Sequence, residues 1–169
     1  MSHDSSLPSD APLVDDAVVQ RVVAAGLERG ADFAELFVEE KRSSSALLDD
    51  GRVEELTSGR DRGAGVRVVV GDSTGSAHTS DLSEQGLLAA ARTAAAAARG
   101  SGSGTTVVAL DRVDAPRPNT VRLQPGEVPK ARKVELLLAA DEMARSEGAA
   151  ITQVAARYAD SRRRILVAN

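Results

Sequence analysis

Cysteine is absent from the 169 residues, so no disulfide, thiolate nucleophile or cysteine-ligated zinc can be built within the chain. Aromatic residues are almost absent too. Phe33, Phe37 and Tyr158 are all there are, so the core must be assembled from Ala, Val and Leu, and little is available for stacking against nucleic-acid bases. No unbroken apolar run approaches the ~18–20 residues of a membrane span. A basic surplus is missing as well: 25 acids stand against 21 bases, a net charge of −4. The two signs are scattered, without the one-signed stripe that neutralises phosphates. Ser2, His3, Asp4, Ser5 and Ser6 stand where a signal peptide would carry its basic residues, and no apolar stretch follows. These absences leave a cytoplasmic protein with neither a nucleic-acid nor a membrane partner as the simplest expectation.

What is present reads as one α+β domain behind a polar arm. Residues 1–12 are polar and proline-punctuated, the composition of a disordered arm, and order is expected from about Leu13. Val18, Val19, Val22, Val23 and Gly26 recur at helical spacing, which predicts a helix up to Arg29 with Gly30 as its stop. Ala34, Leu36 and Val38 alternate with Phe33, Glu35, Phe37 and Glu39, a strand pattern with partial cover expected over the two phenylalanines. A further strand over Ser45–Leu48 leads to Asp50-Gly51, the dipeptide suited to a type I′ hairpin turn, and Arg52–Thr57 is its return.

Residues 58–65 read as a loop, and Val66–Val70 as a β-branched strand followed by a turn over residues 71–75 and a partner strand over Ser76–Ser80. Asp81 with Glu84 has capping-box spacing and opens a helix through Leu87, Ala91, Ala94 and Ala98 to Gly100. A flexible link, Ser101 to Gly104, precedes a brief strand over Val107–Leu110, and Pro116, Pro118, Pro125 and Pro129 hold an extended connection. Lys130–Glu147 is the third helix, with Leu136, Leu137, Ala140, Met143 and Ala144 as its apolar side and Gly148 at its end. Ile151–Ala159 and Arg163–Ala168 follow as two strands turned at Asp160-Ser161. Strands joined by short turns pair antiparallel, so the expected class is α+β, a mainly antiparallel sheet with helices packed mostly on one face. The last strand is expected at or near a sheet edge.

No constellation of catalytic residues stands out. His3 lies in the arm and His78 in a strand, with no pair at metal-ligand spacing. His78, Asp81 and a serine could be drawn as a triad, but sequence adjacency is not triad geometry. Gly63 and Gly65 enter a strand, whereas a phosphate-binding fingerprint leaves one and opens a helix. The doublets Glu39-Glu40, Asp49-Asp50 and Glu54-Glu55 point to opposite strand faces and read as solvated charges. Arg162, Arg163 and Arg164 read as protection of a strand edge or a salt-bridged surface, with an anion or partner contact as the alternative. The expected catalytic, cofactor-binding and metal-binding residues in this chain are therefore none.

Four stretches taken in order carry a resemblance: 31–37 (ADFAELF), 48–54 (LDDGRVE), 63–68 (GAGVRV) and 75–82 (GSAHTSDL). With 133–145 and 162–169 (RRRILVAN), they resemble the N-terminal region of the TldD/PmbA family. The resemblance implies a bacterial zinc-dependent peptidase system. A TldD-type catalytic subunit carrying a His-Glu-x-x-x-His helix is paired there with a PmbA/TldE-type subunit that lacks it, and small or unfolded peptides are cut. Residues 13–169 are then expected to be the N-terminal domain, contributing to peptide binding and subunit assembly. The C-terminal metallopeptidase domain and its zinc are expected beyond Asn169, and the 169-residue chain alone is expected to be inactive. The Gly-x-Gly-Val-Arg strand entry resembles the catalytic TldD branch more closely; the alternative is the non-catalytic PmbA/TldE-type scaffold.

Overall fold

A computed structural model describes residues 11–28, 30–98, 113 and 121–169. Residues 1–10 of the expected arm over 1–12, the helix stop at Gly100, the link at 101–104 and the strand over Val107–Leu110 lie outside the described residues. In chain order the elements are α1 (Asp16–Leu27), β1 (Phe33–Asp49), β2 (Arg52–Val70), β3 (Ser73–Thr79), α2 (Glu84–Ala97), a 3-10 turn (Pro125–Glu127), α3 (Lys130–Ser146) and β4 (Ala155–Ala168). The four strands form one sheet in the order β3-β2-β1-β4. β2 and β3 are antiparallel, from Ala64 opposite Thr79 to Val70 opposite Ser73. Ser44 bonds Asp160 while Asp49 bonds Gln153, so β4 also runs against β1. The fold is α+β with an antiparallel sheet, and β4, with the segment expected at an edge, is an edge strand.

Two of the turns follow local chemistry. Asp50 and Gly51 have φ of 48° and 75°, the two positive values of a type I′ turn. Only two residues, Gly71 (φ 53°) and Asp72, separate β2 from β3, so the second hairpin is tighter than the five-residue turn expected. α1 is capped by Asp15, which accepts from the Ala17 amide at 2.9 Å. α2 is capped by Ser83 and not by Asp81: Ser83 Oγ accepts from the Gly86 amide at 3.2 Å. Asp81 sits two residues before the cap and accepts from the Ser83 amide at 2.9 Å.

Several strand boundaries differ from the sequence reading. β1 and β2 are continuous, so the expected loop over residues 58–65 is strand. Residues 52–62 are exposed on both faces, and a strand with no cover on either side needs no apolar alternation to announce it. β4 is likewise unbroken through Asp160-Ser161. A two-residue hairpin needs positive φ, and neither residue has it. The two strands expected after α3 are therefore one strand.

The chain divides into two compact units. The first takes Met1–Glu40, Arg62–Val113 and Arg164–Asn169; the second takes Lys41–Asp61 and Asp114–Arg163. In the first, Ala34, Leu36, Val38, Ala64, Val66 and Val68 meet Val19, Val22 and Val23 of α1 and Leu87, Ala91, Ala94 and Ala95 of α2 in one core, with Leu166 and Ala168 at its margin. Alternation puts these strand residues on one sheet face, and each fully buried Val or Leu contributes about 1.5–3 kcal/mol. α2 buries mainly alanines, which lets it come very close: a Cβ on Gly75 of β3 would collide with the Ala94 carbonyl and the Ala98 amide. Phe33 is half-buried and Phe37 exposed on the opposite face.

In the second unit a small core of Ala46, Leu48 and Leu137 is joined by Ala156 and Tyr158. α3 supplies only Leu137 from the expected apolar side. The other residues it buries are Lys133 and Asp141, one turn before and one turn after it, while Leu136 and Met143 face outward. The expected face of α3 is thus off by about a sixth of a turn, because side-chain hydropathy does not register a lysine and an aspartate that are buried with partners.

Candidate functional site

Residues singled out from the sequence are held apart. His3 lies outside the described residues. His78 stands on β3 opposite Gly65 of β2, and its Nδ1 is 3.0 Å from where a Gly65 Cβ would stand. Gly65 thus gives the imidazole room over β2, a packing role that leaves no loop for phosphate. A Cβ on Gly63 would stand 3.2 Å from the Thr79 carbonyl. Asp81 directs its carboxylate at Ser83, whose bonds hold it below the usual carboxylate range. A carboxylate committed to a helix entry is not the third member of a triad.

Of the acidic doublets, Glu39 and Glu40 differ in burial along β1, while Asp50 lies in the turn beyond Asp49. Asp49 accepts from Gln153 at 2.9 Å and Asp50 pairs with Arg145, which also bonds Asp141 at 3.1 Å. Glu54 and Glu55 are exposed. Glu40 departs from the expectation of solvated charge: it is buried on the covered side of β1, with its polar group engaged. Of the three arginines, Arg164 donates to the Ala11 carbonyl, and Arg162 and Arg163 are engaged as well. They occupy an edge strand and alternate across it.

Among the described residues, a buried polar cluster around Lys133 is one that the sequence reading missed. Lys133 Nζ lies 2.7 Å from both Ser44 Oγ and Asp160 Oδ2, and the Ser44 hydroxyl donates to the same Asp160 oxygen at 2.7 Å. The Lys133 ammonium also sits 5.3 Å from the centre of the Tyr158 ring. Its side chain is 5% exposed and that of Asp160 14%. Burial pushes the Asp160 carboxyl up, but bonds from Lys133, Ser44 and Tyr158 outweigh it and hold the group below the usual range. Burial and the neighbouring carboxylate push the Tyr158 phenol up.

Serine and lysine at this distance resemble a nucleophile with its base, yet the third member cancels that chemistry. Asp160 takes the Ser44 proton in a hydrogen bond and ion-pairs the ammonium, and an ammonium held by a carboxylate is not a base. The cluster fastens α3 to β1 and β4. Its signal in the sequence was the period of Lys133, Leu137 and Asp141 at i, i+4 and i+8, a polar-apolar-polar stripe that a search for apolar faces passes over.

A catalytic metal takes about three nitrogen or oxygen ligands and keeps an open position. Among the described residues no three His, Asp or Glu side chains converge to form such a set, so these residues do not fit a catalytic zinc.

An antiparallel four-stranded sheet packed against a valine-lined and an alanine-lined helix, with a third helix fastened to its strands by a buried ion pair, makes this an α+β fold. Two family models match: PmbA/TldA metallopeptidase domain 1 over residues 34–98, and the PmbA/TldA metallopeptidase central domain over residues 123–169. Together they cover well over half of the chain, and it belongs to the PmbA/TldD family.

A metalloprotease TldD homolog of Haemophilus influenzae is 29% identical over 140 residues, covering 82% of this chain and 29% of that protein. A metalloprotease of Methanothermobacter thermautotrophicus is 33% identical over 132 residues, 76% of this chain and 28% of that protein. Among solved structures, a modulator of DNA gyrase from Bacteroides thetaiotaomicron superposes with a TM-score of 0.65 at 18% identity, covering 89% of this chain and 36% of the other. TldE from Thermococcus kodakarensis gives 0.61 at 18%, covering 89% and 34%. The structural likenesses concern the fold. The chain spans under a third of the length of the curated relatives it matches.

Proposed function

We propose that residues 13–169 serve as the N-terminal part of a TldD-type zinc metallopeptidase subunit that acts on small or unfolded peptides in the cytoplasm, and that they contribute to peptide binding and subunit assembly. The observation that carries this reading is the likeness to two proteins named metalloproteases, one of them a TldD homolog, along four-fifths and three-quarters of the chain. In this reading the sheet and its helices are scaffold, and the peptide-cutting groups and zinc belong to a domain that the present residues do not supply. Among the described residues no helix is long and apolar enough to cross a membrane, which is compatible with the proposed location.

A second reading has its own support. The fold superposes on TldE as well as on the gyrase modulator, so a non-catalytic PmbA/TldE-type partner has the same architecture available. The experiment that separates them uses the full-length gene product. A TldD-type subunit retains one zinc after dialysis and, mixed with its partner subunit, cleaves an unfolded peptide in a chelator-sensitive way. Absence of both zinc and chelator-sensitive cleavage selects the partner-type reading, and an open reading frame without a His-Glu-x-x-x-His run would agree with it.

A further inference from the structure

The three helices are held in different ways. α1 and α2 each bury five residues, all of them apolar or glycine, whereas α3 buries Lys133, Leu137 and Asp141, of which only the leucine is apolar. The other attachments of α3 are polar and sit at its two ends. Lys133 in the first turn meets Ser44 and Asp160. In the last turn Arg145 pairs with Asp141 of the helix itself and with Asp50 of the β1–β2 turn. Uncovering an apolar side chain forfeits its whole transfer free energy. Parting a buried ion pair forfeits far less, because both charges regain their hydration as the Coulomb attraction is lost. The pair at the far end is already partly hydrated, with Arg145 36% and Asp50 61% exposed, and such a pair is held weakly.

Both ends of α3 also have room to turn. The chain enters through the 3-10 turn Pro125–Glu127, where a Cβ on Gly126 would have no described atom within 4 Å. Pro129 stands at the N-cap and makes no side-chain bond there. The chain leaves through Gly148, at φ 130°, again with no described atom within 4 Å of where a Cβ would stand. It is tied down once more at Val154, whose carbonyl accepts from the Asp50 amide at 2.9 Å. β4 then pairs with β1 through the sheet itself, independently of the helix. Residues 126–148 are therefore a segment with an uncrowded glycine at each end and fixed chain beyond its C-terminal one.

We infer that α3 is a strap that swings off the strands beneath it as one piece, turning about Gly126 and Gly148, while the core under α1 and α2 stays folded. What it uncovers is an apolar strip, Ala46 and Leu48 of β1 beside Ala156 and Tyr158 of β4. Ser44 and Asp160 become accessible in the same movement. Local opening at a free energy below that of global unfolding is the ordinary way in which lids and gating elements move, and it selects elements with few buried apolar contacts. α3 is such an element, and α1 and α2 are not. The inference rests on the packing of this chain and does not depend on the proposed peptidase reading.

The chain carries its own reporter. Tyr158 is the only tyrosine and there is no tryptophan, so tyrosine fluorescence reads the strip beneath α3 alone. In a urea titration of the 169-residue chain, quenching of Tyr158 by acrylamide is expected to rise while most of the helical circular dichroism is retained, a non-coincidence that a single cooperative transition cannot give. In native-state hydrogen exchange, α3 amides are expected to exchange at least about tenfold faster than those of α1 and α2, with a weaker dependence on urea. Lys133→Met leaves Asp160 without its ammonium and should speed exchange of α3 about a hundredfold or more while leaving α1 and α2 unchanged. That comparison within one sample separates release of the strap from loss of fold. Exchange of all three helices in one step with one urea dependence, a Tyr158 transition coincident with the loss of circular dichroism, or a Lys133→Met effect that does not favour α3 would each overturn the inference.

Discussion

Gly75 shows at the scale of one residue how composition becomes architecture. The chain has few large side chains, so its helices must approach the sheet closely to leave no voids, and α2 does so by laying the backbone of Ala94 and Ala98 directly over Gly75. Only a residue without a side chain fits there. Gly75→Ala is expected to cost about 3 kcal/mol, the upper end for overpacking, since its obstacle is backbone and cannot rotate away. Urea denaturation followed by circular dichroism reads this, and a loss below about 0.5 kcal/mol would show that α2 yields freely. Gly71, whose Cβ would meet nothing but whose φ is 53°, supplies the contrast: Gly71→Asn should be far milder, because asparagine tolerates positive φ. Both positions were legible in the sequence as glycines near a hairpin. Which one answered to sterics and which to torsion was not, because the helix that crowds Gly75 comes from a later segment.

At the scale of elements, the ion pair beneath α3 governs how that helix is held. Removing one partner of a buried pair leaves the other charged and unsatisfied, so Lys133→Met should destabilise the second unit by about 3–5 kcal/mol. Replacing the pair together, as Lys133→Met with Asp160→Leu and Ser44→Ala, should recover most of that loss, since a well-packed apolar substitute is often as stable. If the triple variant is no better than the single one, the cluster does more than fasten the helix.

The pH dependence has a definite sign. Asp160 titrates lower in the folded chain than its unfolded value near 4. Its contribution is therefore complete above that value and is lost as the pH falls through the lower, folded one. Acid titration of stability should show a limb below about pH 4 that is diminished in Asp160→Asn. The elements themselves were largely legible: capped, periodic α1 and α2 and the Asp50-Gly51 turn followed from local pattern. What escaped were strands whose residues lack alternation, as in the exposed residues 52–62, and a helix that turns Lys133 inward toward partners 27 and 89 positions away.

At the scale of the whole molecule, family membership was legible because the turn glycines and strand entries fall in a fixed order along the chain. The Lys133, Ser44 and Asp160 cluster was not legible, because its members stand 27 and 89 positions apart and carry no local pattern. The two compact units bear on how the molecule can be divided. β1, β2 and β4 each contribute residues to both units, while the two family matches, 34–98 and 123–169, are contiguous blocks. Each block therefore holds strand halves belonging to the other unit's core. Shuffling by recombination, which moves contiguous stretches of gene, could not transplant either unit alone. Expressed by itself, the 34–98 stretch should carry its distal ribbon, residues 41–61, without the helix that covers Ala46 and Leu48. Supplied in trans, a 121–169 fragment is expected to restore protection of those amides against hydrogen exchange, as a split protein regains its missing half.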